Sequence, residues 1–226
     1  MTRRRHVILS AFANREGPMS ERRLKHFGWG REGEGLTPEE EGFALDRYRR
    51  LFAVARFDER SPPALSDIAL RPPRIAPPPA LAPHCSSEPY DRAAHTYGKS
   101  FSDYARGLAG LYDNAPDFVA YPRNEAEVTA VADWAGGAQA ALIPFGAGSS
   151  VVGGVEPAIE GTACRAAISL DLRHLDRVVE VDRTSRAARI EAGIFGPAPD
   201  PGRRRVSPMP RGVTTRRLST KSSICV

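Results

Sequence analysis

A glycine-rich stretch at residues 146–154 has the composition of a phosphate-binding loop. It reads Gly-Ala-Gly-Ser-Ser-Val-Val-Gly-Gly and directly follows the apolar run 140–145. Such a turn at the carboxyl end of a parallel strand is where α/β folds hold phosphates, because the backbone can curl until successive N–H groups point at one anion. Ser149 and Ser150 can add hydroxyl donors. The alternative is a glycine-rich turn that only connects two strands.

Three other loop motifs are absent from the sequence. The dinucleotide fingerprint GxGxxG would need a third glycine where Val151 stands. The tripeptide Gly-Lys-Ser at residues 98–100 matches the end of a Walker A loop, but Ala93 occupies the position of its first glycine and no strand precedes it. The hydrolase motif GxSxG does not occur.

The titratable residues do not form a recognisable catalytic or metal-binding set. His95 could contact a ligand phosphate, and the alternative is a surface or helix-capping histidine. His174 lies in a predicted turn, where we expect no function. No His, Cys and carboxylate group has the spacing of a metal site, and no Ser-His-Asp set can be argued. We expect four carboxylates to be loop and surface charges rather than an acid–base pair: Asp171, Asp176, Glu180 and Asp182.

The elements around the glycine-rich stretch follow from the hydrophobic pattern. Residues 117–121 are predicted to form a strand. Asn124 can cap a helix with Glu127 at the capping-box position, and Gly-Gly at 136–137 is expected to end it. The run 140–145 is predicted to be the next strand. Strand, helix and strand in this order indicate a right-handed βαβ unit with two parallel strands.

Further strands are predicted downstream of the glycine-rich stretch. Residues 166–171 form one apolar run, and 178–182 with 187–192 are predicted to form a hairpin around Arg-Thr-Ser at 183–185. Residues 178–182 alternate valine with acidic residues, which is typical of a half-buried strand. The pattern therefore predicts an α+β fold, a βαβ unit followed by an antiparallel hairpin.

A helical and proline-rich region precedes this unit. A helix is predicted over 38–57, starting with a capping box between Thr37 and Glu40. Residues 61–89 contain nine prolines and are predicted to be extended and irregular. A second helix is predicted after Ser100, with three apolar residues on one face: Tyr104, Leu108 and Leu111.

The positive charge of the chain lies at its two ends. The 226 residues carry a net charge of +5. Residues 1–25 hold seven Lys/Arg against two Glu, and 199–226 hold seven Lys/Arg against one Asp, so the stretch 26–198 is acidic. A nucleic-acid-binding fold would carry its basic residues on the folded part, so we expect no nucleic-acid partner.

Two other composition features set expectations about the compartment. No apolar run approaches the length of a membrane span, so we expect no integral membrane segment. Three scattered cysteines are too few for a disulfide scaffold, which favours a reducing, cytoplasmic location. The oligomeric state does not follow from these features.

A long, ordered set of motifs resembles one family of flavoenzymes. The segments 116–122, 125–128 and 143–154 resemble the start of the FAD-binding domain of the p-cresol-methylhydroxylase and vanillyl-alcohol-oxidase type. The subgroup that the chain is most similar to is the alkyldihydroxyacetone-phosphate (alkylglycerone-phosphate) synthases and their bacterial FAD-binding oxidoreductase relatives. Residues 168–197 continue the match, and Arg-Ala-Ala-His-Thr-Tyr-Gly-Lys-Ser at 92–100 fits it too, so the resemblance covers about residues 26–198.

The resemblance implies a cofactor, FAD, and a site for its pyrophosphate. One departure concerns Ala147, where the family usually has glycine, and a positive φ there would strain the alanine. The intact relatives are oxidoreductases or alkylglycerone-phosphate synthases with small-molecule substrates. The implied FAD-binding residues are Pro144, Phe145, Gly146, Ala147, Gly148, Ser149, Ser150, Gly153 and Gly154.

The resemblance stops after Pro197. We expect the chain to be truncated before the family's second FAD-binding segment and catalytic cap, so no catalytic residue is predicted. The alternatives to a flavoenzyme are a non-catalytic remnant and an anion-binding module with basic ends. We expect four regions: a disordered basic extension at 1–25, a helical and proline-rich region at 26–115, a partial FAD-binding domain at 116–198, and a disordered, out-of-frame tail at 199–226.

Overall fold

The computed structural model describes residues 23–30, 32, 35–52 and 61–194. The extension and the tail predicted to be disordered fall almost entirely outside these ranges, as do residues 53–57 of the first predicted helix. No helix in the described ranges is both long enough and apolar enough to cross a membrane.

Helix α1, Pro38–Phe52, begins where the sequence predicts. The Thr37 N–H donates to Glu40 Oε2 at 2.8 Å and the Glu40 N–H donates to Thr37 Oγ1 at 3.2 Å, which confirms the capping box. No residue of this helix is buried; Phe43 and Leu51, for example, are exposed. The apolar stripe that predicted the helix therefore does not contribute to the core of the described residues.

Short elements make up the proline-rich region and its continuation. The helix predicted after Ser100 is confirmed, with a capping box in which the Asp103 N–H donates to Ser100 Oγ and the Ser100 N–H donates to Asp103 Oδ2. It ends before Leu111, which is exposed. The elements in chain order are two 3-10 helices, Leu65–Asp67 and Ala82–His84, strand β1, Cys85–Ser86, and helices α2, Pro89–Ala94, and α3, Phe101–Leu108.

The central sheet corrects one feature of the predicted βαβ unit. Strands β2, Phe118–Ala120, and β3, Ala140–Phe145, are both parallel to β4, Ala166–Asp171. The sheet order is β1-β2-β4-β3, with β1 antiparallel, so β2 and β3 do not pair with each other as the sequence suggested. Every residue of β4 is buried, and a strand buried on both faces takes the central position of a parallel sheet.

Helix α4, Glu125–Gly137, covers one face of the sheet. The Glu127 N–H donates to Asn124 Oδ1 at 2.9 Å, as the predicted cap requires. The two glycines expected to end the helix are its last helical residues, and the chain reverses at Gln139, whose φ is +51°. Val131 and Trp134 pack on this face against Ile168 and other apolar residues of the sheet.

The predicted hairpin forms a separate two-stranded sheet. Strands β5, Val178–Asp182, and β6, Ala187–Ile190, are antiparallel, and the Thr184 N–H donates to Asp182 Oδ1 at 2.8 Å in the turn. Val179 and Val181 are 49% and 58% exposed, so the expected half-buried face is not covered by any described residue. A period of two shows which side chains share a face, and it does not show that a partner packs there.

A buried ionic cluster lies directly before strand β2. Asp117 is fully buried and accepts hydrogen bonds from Arg71, Arg74 and the backbone N–H of Ala167. Arg92 donates to the carbonyl oxygens of Pro116 and Arg71, both at 2.7 Å. These bonds fix the proline-rich region and α2 against the strands that carry the glycine-rich loop.

Candidate functional site

The glycine-rich loop leaves the sheet at the carboxyl ends of two parallel strands. Phe145, the last residue of β3, is paired with Asp171, the last residue of β4, and the Leu172 N–H donates to the Phe145 carbonyl at 3.0 Å. Residues 146–154 follow directly. The loop therefore occupies the edge of the sheet where α/β folds bind ligands.

The first half of the loop presents unused backbone donors. Within the described part of the chain, the N–H groups of residues 146–150 donate to no protein acceptor. The second half of the loop has an internal hydrogen bond, in which the Gly154 N–H donates to Ser150 Oγ at 3.0 Å. Five consecutive unsatisfied donors beside a self-bonded turn form a concave group that suits an anion.

Gly148 gives the loop its curvature. Its φ is +63°, and a Cβ built there would lie 2.5 Å from Cζ of Phe145, so the loop rests directly on that ring. The strain expected at Ala147 is absent: among described residues other than glycine, only Gln139 and Arg186 have positive φ. Anion-binding nests contain one residue in the left-handed region, and Gly148 supplies such a residue here.

A buried histidine lies beneath the loop. The His95 ring lies 4.2 Å from the Phe145 ring between centroids and is 2% exposed. Its Nε2 lies 2.8 Å from Asp171 Oδ2, and its Nδ1 lies 2.6 Å from the Asp91 carbonyl oxygen. His95 is the C-cap residue of α2, which is one of the alternatives that the sequence offered, but its ring packs inside the fold and does not lie on the surface.

Asp171 is likewise not the surface charge that the sequence suggested. It is 1% exposed and accepts from Arg173 at Nη2, 2.6 Å, and Nε, 3.0 Å, in addition to His95. Burial raises the pKa of Asp171, but the hydrogen bonds from His95 and Arg173 outweigh it, so the pKa lies below its ordinary value. The carboxylate is therefore ionised at neutral pH.

The residues just before α3 contact the middle of the loop. The Lys99 N–H donates to the Ser150 carbonyl at 2.6 Å. A Cβ on Gly98 would lie 2.2 Å from that same oxygen, so only glycine allows this approach. The Gly-Lys-Ser tripeptide thus holds the glycine-rich loop rather than forming a phosphate loop of its own.

A salt bridge fixes the far end of the loop. Glu156 accepts from both terminal nitrogens of Arg106 on α3, at 2.6 and 2.9 Å, and from Asn114 Nδ2 at 2.8 Å. The hydrogen bonds that Arg106 donates to Glu156 hold the pKa of the guanidinium above its ordinary value despite partial burial. Together with the Gly98 contact, this bridge connects the middle and the far end of the loop to α3 and the residues just before it.

The other sequence-predicted residues lie as follows. Pro144 and Ser149 are exposed, as are Gly153 and Gly154 in the second half of the loop. His174 is exposed, as expected for a turn residue. Glu180 and Asp182 are exposed and Asp176 is half-buried. No group of metal-ligating side chains was found among the described residues.

Comparisons with known proteins agree on one family. Residues 116–198 match a family described as an FAD binding domain. The chain is 38% identical over 106 residues to alkyldihydroxyacetonephosphate synthase of Dictyostelium discoideum, and 36% identical over 108 residues to that of Trypanosoma brucei brucei. These matches cover 47% and 48% of this chain, but only 17% and 18% of the relatives' length.

A solved structure gives the same relationship at the level of the fold. An alkyldihydroxyacetonephosphate synthase superposes with a TM-score of 0.62 at 27% identity, covering 76% of this chain and 37% of that one. The cofactor of the matched domain family is FAD. Residues 116–198 are therefore similar to an FAD binding domain, and the chain that carries them is similar to part of the alkyldihydroxyacetonephosphate synthases.

Proposed function

We propose that residues 144–150, with Gly153 and Gly154, bind the pyrophosphate of FAD. The observation that carries the proposal is the row of unsatisfied N–H groups at residues 146–150, curved by the positive φ of Gly148. Two adjacent phosphates need several donors on a concave backbone, and a side chain at Gly148 would fill the space that Phe145 occupies. The residues present therefore fit this part of the cofactor.

The chain's own residues contribute binding and rigidity. FAD, when bound, supplies electron transfer at its ring system. The Gly98 contact and the Arg106–Glu156 salt bridge hold the loop in one shape, so little ordering entropy is lost when the phosphates bind. The exposed hydroxyl of Ser149 can add one further donor to a phosphate oxygen.

We further propose that the complete protein is a cytoplasmic flavoenzyme similar to alkyldihydroxyacetonephosphate synthase. Its substrate would be a phosphorylated or carbonyl-bearing lipid precursor, or a hydroxy acid. The matches span less than a fifth of the relatives' length, so activity is a property of more than the matched segment. For residues 1–226 alone, we propose phosphate-dependent FAD binding without turnover.

Equilibrium dialysis of the purified chain with FAD, ADP and adenosine tests the proposal. We expect FAD and ADP to bind with similar affinity, because both carry the pyrophosphate, and adenosine not to bind. Gly148→Ala should weaken both ligands about tenfold or more, because the new Cβ meets the Phe145 ring and strains the positive φ, which displaces the backbone donors of the loop. Gly161→Ala is the matched control, because Gly161 has a similar φ of +75° and open space around it.

Two outcomes would contradict parts of this proposal. A folded chain that binds neither FAD nor ADP would show that the loop is only a connection between strands. Tightly held, stoichiometric yellow flavin, bound much more strongly than ADP, would show that the 226 residues also hold the ring of the cofactor. Thermal unfolding of both alanine variants separates lost binding from lost folding.

A further inference from the structure

We propose that Lys99, whose ammonium group lies over the Trp29 ring, provides the positive charge for a phosphate bound at the glycine-rich loop. The identity of the ligand rests on the proposed function. The position of Lys99 beside the loop and the surroundings of its ammonium group are features of the protein itself.

The glycine-rich loop offers hydrogen-bond donors but no positive charge of its own. A pyrophosphate carries several negative charges, whereas residues 146–154 are all glycine, alanine, serine or valine. Two arginines contact the loop's flanks, but their charges are already matched, because Arg106 bonds Glu156 and Arg173 bonds Asp171. A nearby cation that no carboxylate holds would therefore add most to phosphate binding.

Lys99 is such a cation. Among the described residues, no hydrogen bond or ion pair engages its ammonium, and Nζ lies 5.7 Å from the centroid of the Trp29 ring. Burial lowers the pKa of Lys99, and the nearby Asp103 carboxylate partly opposes this shift. The oxygens of Asp103 already accept from Arg106 and from the Ser100 N–H. A half-buried ammonium without a partner is destabilised, and a bound anion would remove that cost.

The backbone places Lys99 within reach of a phosphate on the loop. Its N–H donates to the Ser150 carbonyl at 2.6 Å, and a Cβ on the preceding Gly98 would lie 2.2 Å from the same oxygen. The N–H of Ser150 belongs to the row of donors proposed to bind the pyrophosphate. Because the lysine side chain is a flexible four-carbon stem, its ammonium can turn to a phosphate oxygen held there.

A short turn presents Trp29 to the ammonium. Gly28 and Gly30, on either side, have φ values of +78° and +92°. The Tyr104 ring of α3 packs against this turn, 3.5 Å from the position of a Cβ on Gly28. The Trp29 side chain stays 61% exposed. An indole attracts a cation less strongly than a carboxylate or phosphate does, so Lys99 can exchange this contact for an anion.

Calorimetric titration of the full chain with inorganic pyrophosphate tests the role of Lys99. We expect Lys99→Met to weaken binding about tenfold, because one charged hydrogen bond to a phosphate oxygen is lost. Lys99→Arg keeps a cation at this place and should retain most of the affinity. Lys25→Met is the matched control and should leave affinity unchanged. Lys25 is also half-buried, and no hydrogen bond or ion pair joins it to the loop in the described ranges.

Tryptophan fluorescence gives a second measurement on the same samples. The chain has two tryptophans, and Trp134 is buried against the sheet, so a response to pyrophosphate reports on Trp29. If the ammonium moves from the indole to the phosphate, emission should change on titration of the unsubstituted and Lys25→Met chains. We expect no change in Lys99→Met, and Trp29→Phe should abolish the response.

Three results would overturn the role of Lys99. They are equal affinity of the Lys99→Met and unsubstituted chains, equal losses in Lys99→Met and Lys99→Arg, and pyrophosphate binding without a change in Trp29 emission. The second result would show that the side chain only packs, and the third that the ammonium does not move to the ligand. Failure of the folded, unsubstituted chain to bind pyrophosphate or ADP would instead contradict the proposed function, and the role of Lys99 with it.

Discussion

One buried carboxylate, that of Asp117, connects the proline-rich region to the central sheet. Asp117 is the second residue of the segment that matches the FAD-binding family, yet two of its partners, Arg71 and Arg74, come from the proline-rich region. Burial raises the pKa of Asp117, but the bonds from Arg74, Ala167 and Arg71 prevail and hold the pKa at about 2. The ionised form is therefore the one that stabilises the fold.

Replacing Asp117 with asparagine should destabilise the protein and change its response to acid. Because the folded pKa lies below the unfolded value of 3.8, the stabilisation is complete above about pH 4 and is lost as the pH falls toward 2. The shift corresponds to about 2 kcal/mol. Asp117→Asn should cost about 3 kcal/mol near neutral pH, because it leaves two arginines without their carboxylate.

Urea unfolding between pH 2 and 7 checks this prediction. The control is Asp133→Asn, because Asp133 is exposed on α4 and should be nearly neutral. Equal acid dependence in the Asp117→Asn and unsubstituted chains would show that Asp117 is not the group responsible.

For individual residues, the sequence predicted the glycine-rich loop at 146–154 but not the burial of His95 and Asp171 next to it. Glycine and serine in 146–154 have local consequences, so their spacing alone indicated a curved backbone. His95 and Asp171 are 76 residues apart, and nothing in their neighbours' types shows that they meet. One signal was available: Asp171 ends a strand of otherwise apolar or small residues, where a charge needs a partner.

Among the secondary-structure elements, the parts fixed by local chemistry were predicted well. The caps of α1 and α4 follow from side chains three residues apart, and both are confirmed. The expected pairing of β2 with β3 was wrong, because the position of a strand in the sheet depends on which strand is buried on both faces. Ile168 of β4 lies in one apolar cluster with residues of α4 and of the proline-rich region, and Asp171 at the end of β4 contacts His95, which follows α2.

Removing the cap of α4 should lower stability by about 1 kcal/mol. Asn124 Oδ1 accepts the Glu127 N–H at 2.9 Å, and Asn124→Ala leaves that donor without its partner. Asn124→Asp keeps an acceptor at the same place and serves as the control, with stability close to the unsubstituted chain. Thermal or urea unfolding measures the difference. Equal losses of stability in both variants would mean that the stabilising contact is the hydrogen bond that the Asn124 amide donates to Glu127 Oε1, and not the cap.

For the molecule as a whole, the family boundary at residue 116 does not coincide with a structural boundary. Three side-chain contacts cross this boundary: Arg71 with Asp117, His95 with Asp171, and Arg106 with Glu156. Each pairs a charge in the FAD-binding segment with a residue upstream of it. The division into a region 26–115 and a domain 116–198 therefore describes relatedness rather than independent folding.

A fragment of residues 116–198 should consequently fail to fold on its own. It would retain Asp117 and Asp171, 0% and 1% exposed in the structure, without the arginines and histidine that pair with them across the boundary. Each broken buried pair costs about 3 kcal/mol or more, and two such losses are comparable to the whole stability of a small domain. A fragment of residues 23–198 keeps every crossing bond and should unfold cooperatively. Circular dichroism during thermal unfolding distinguishes the two fragments, and a cooperative transition in 116–198 at the temperature of 23–198 would show that the upstream partners are dispensable.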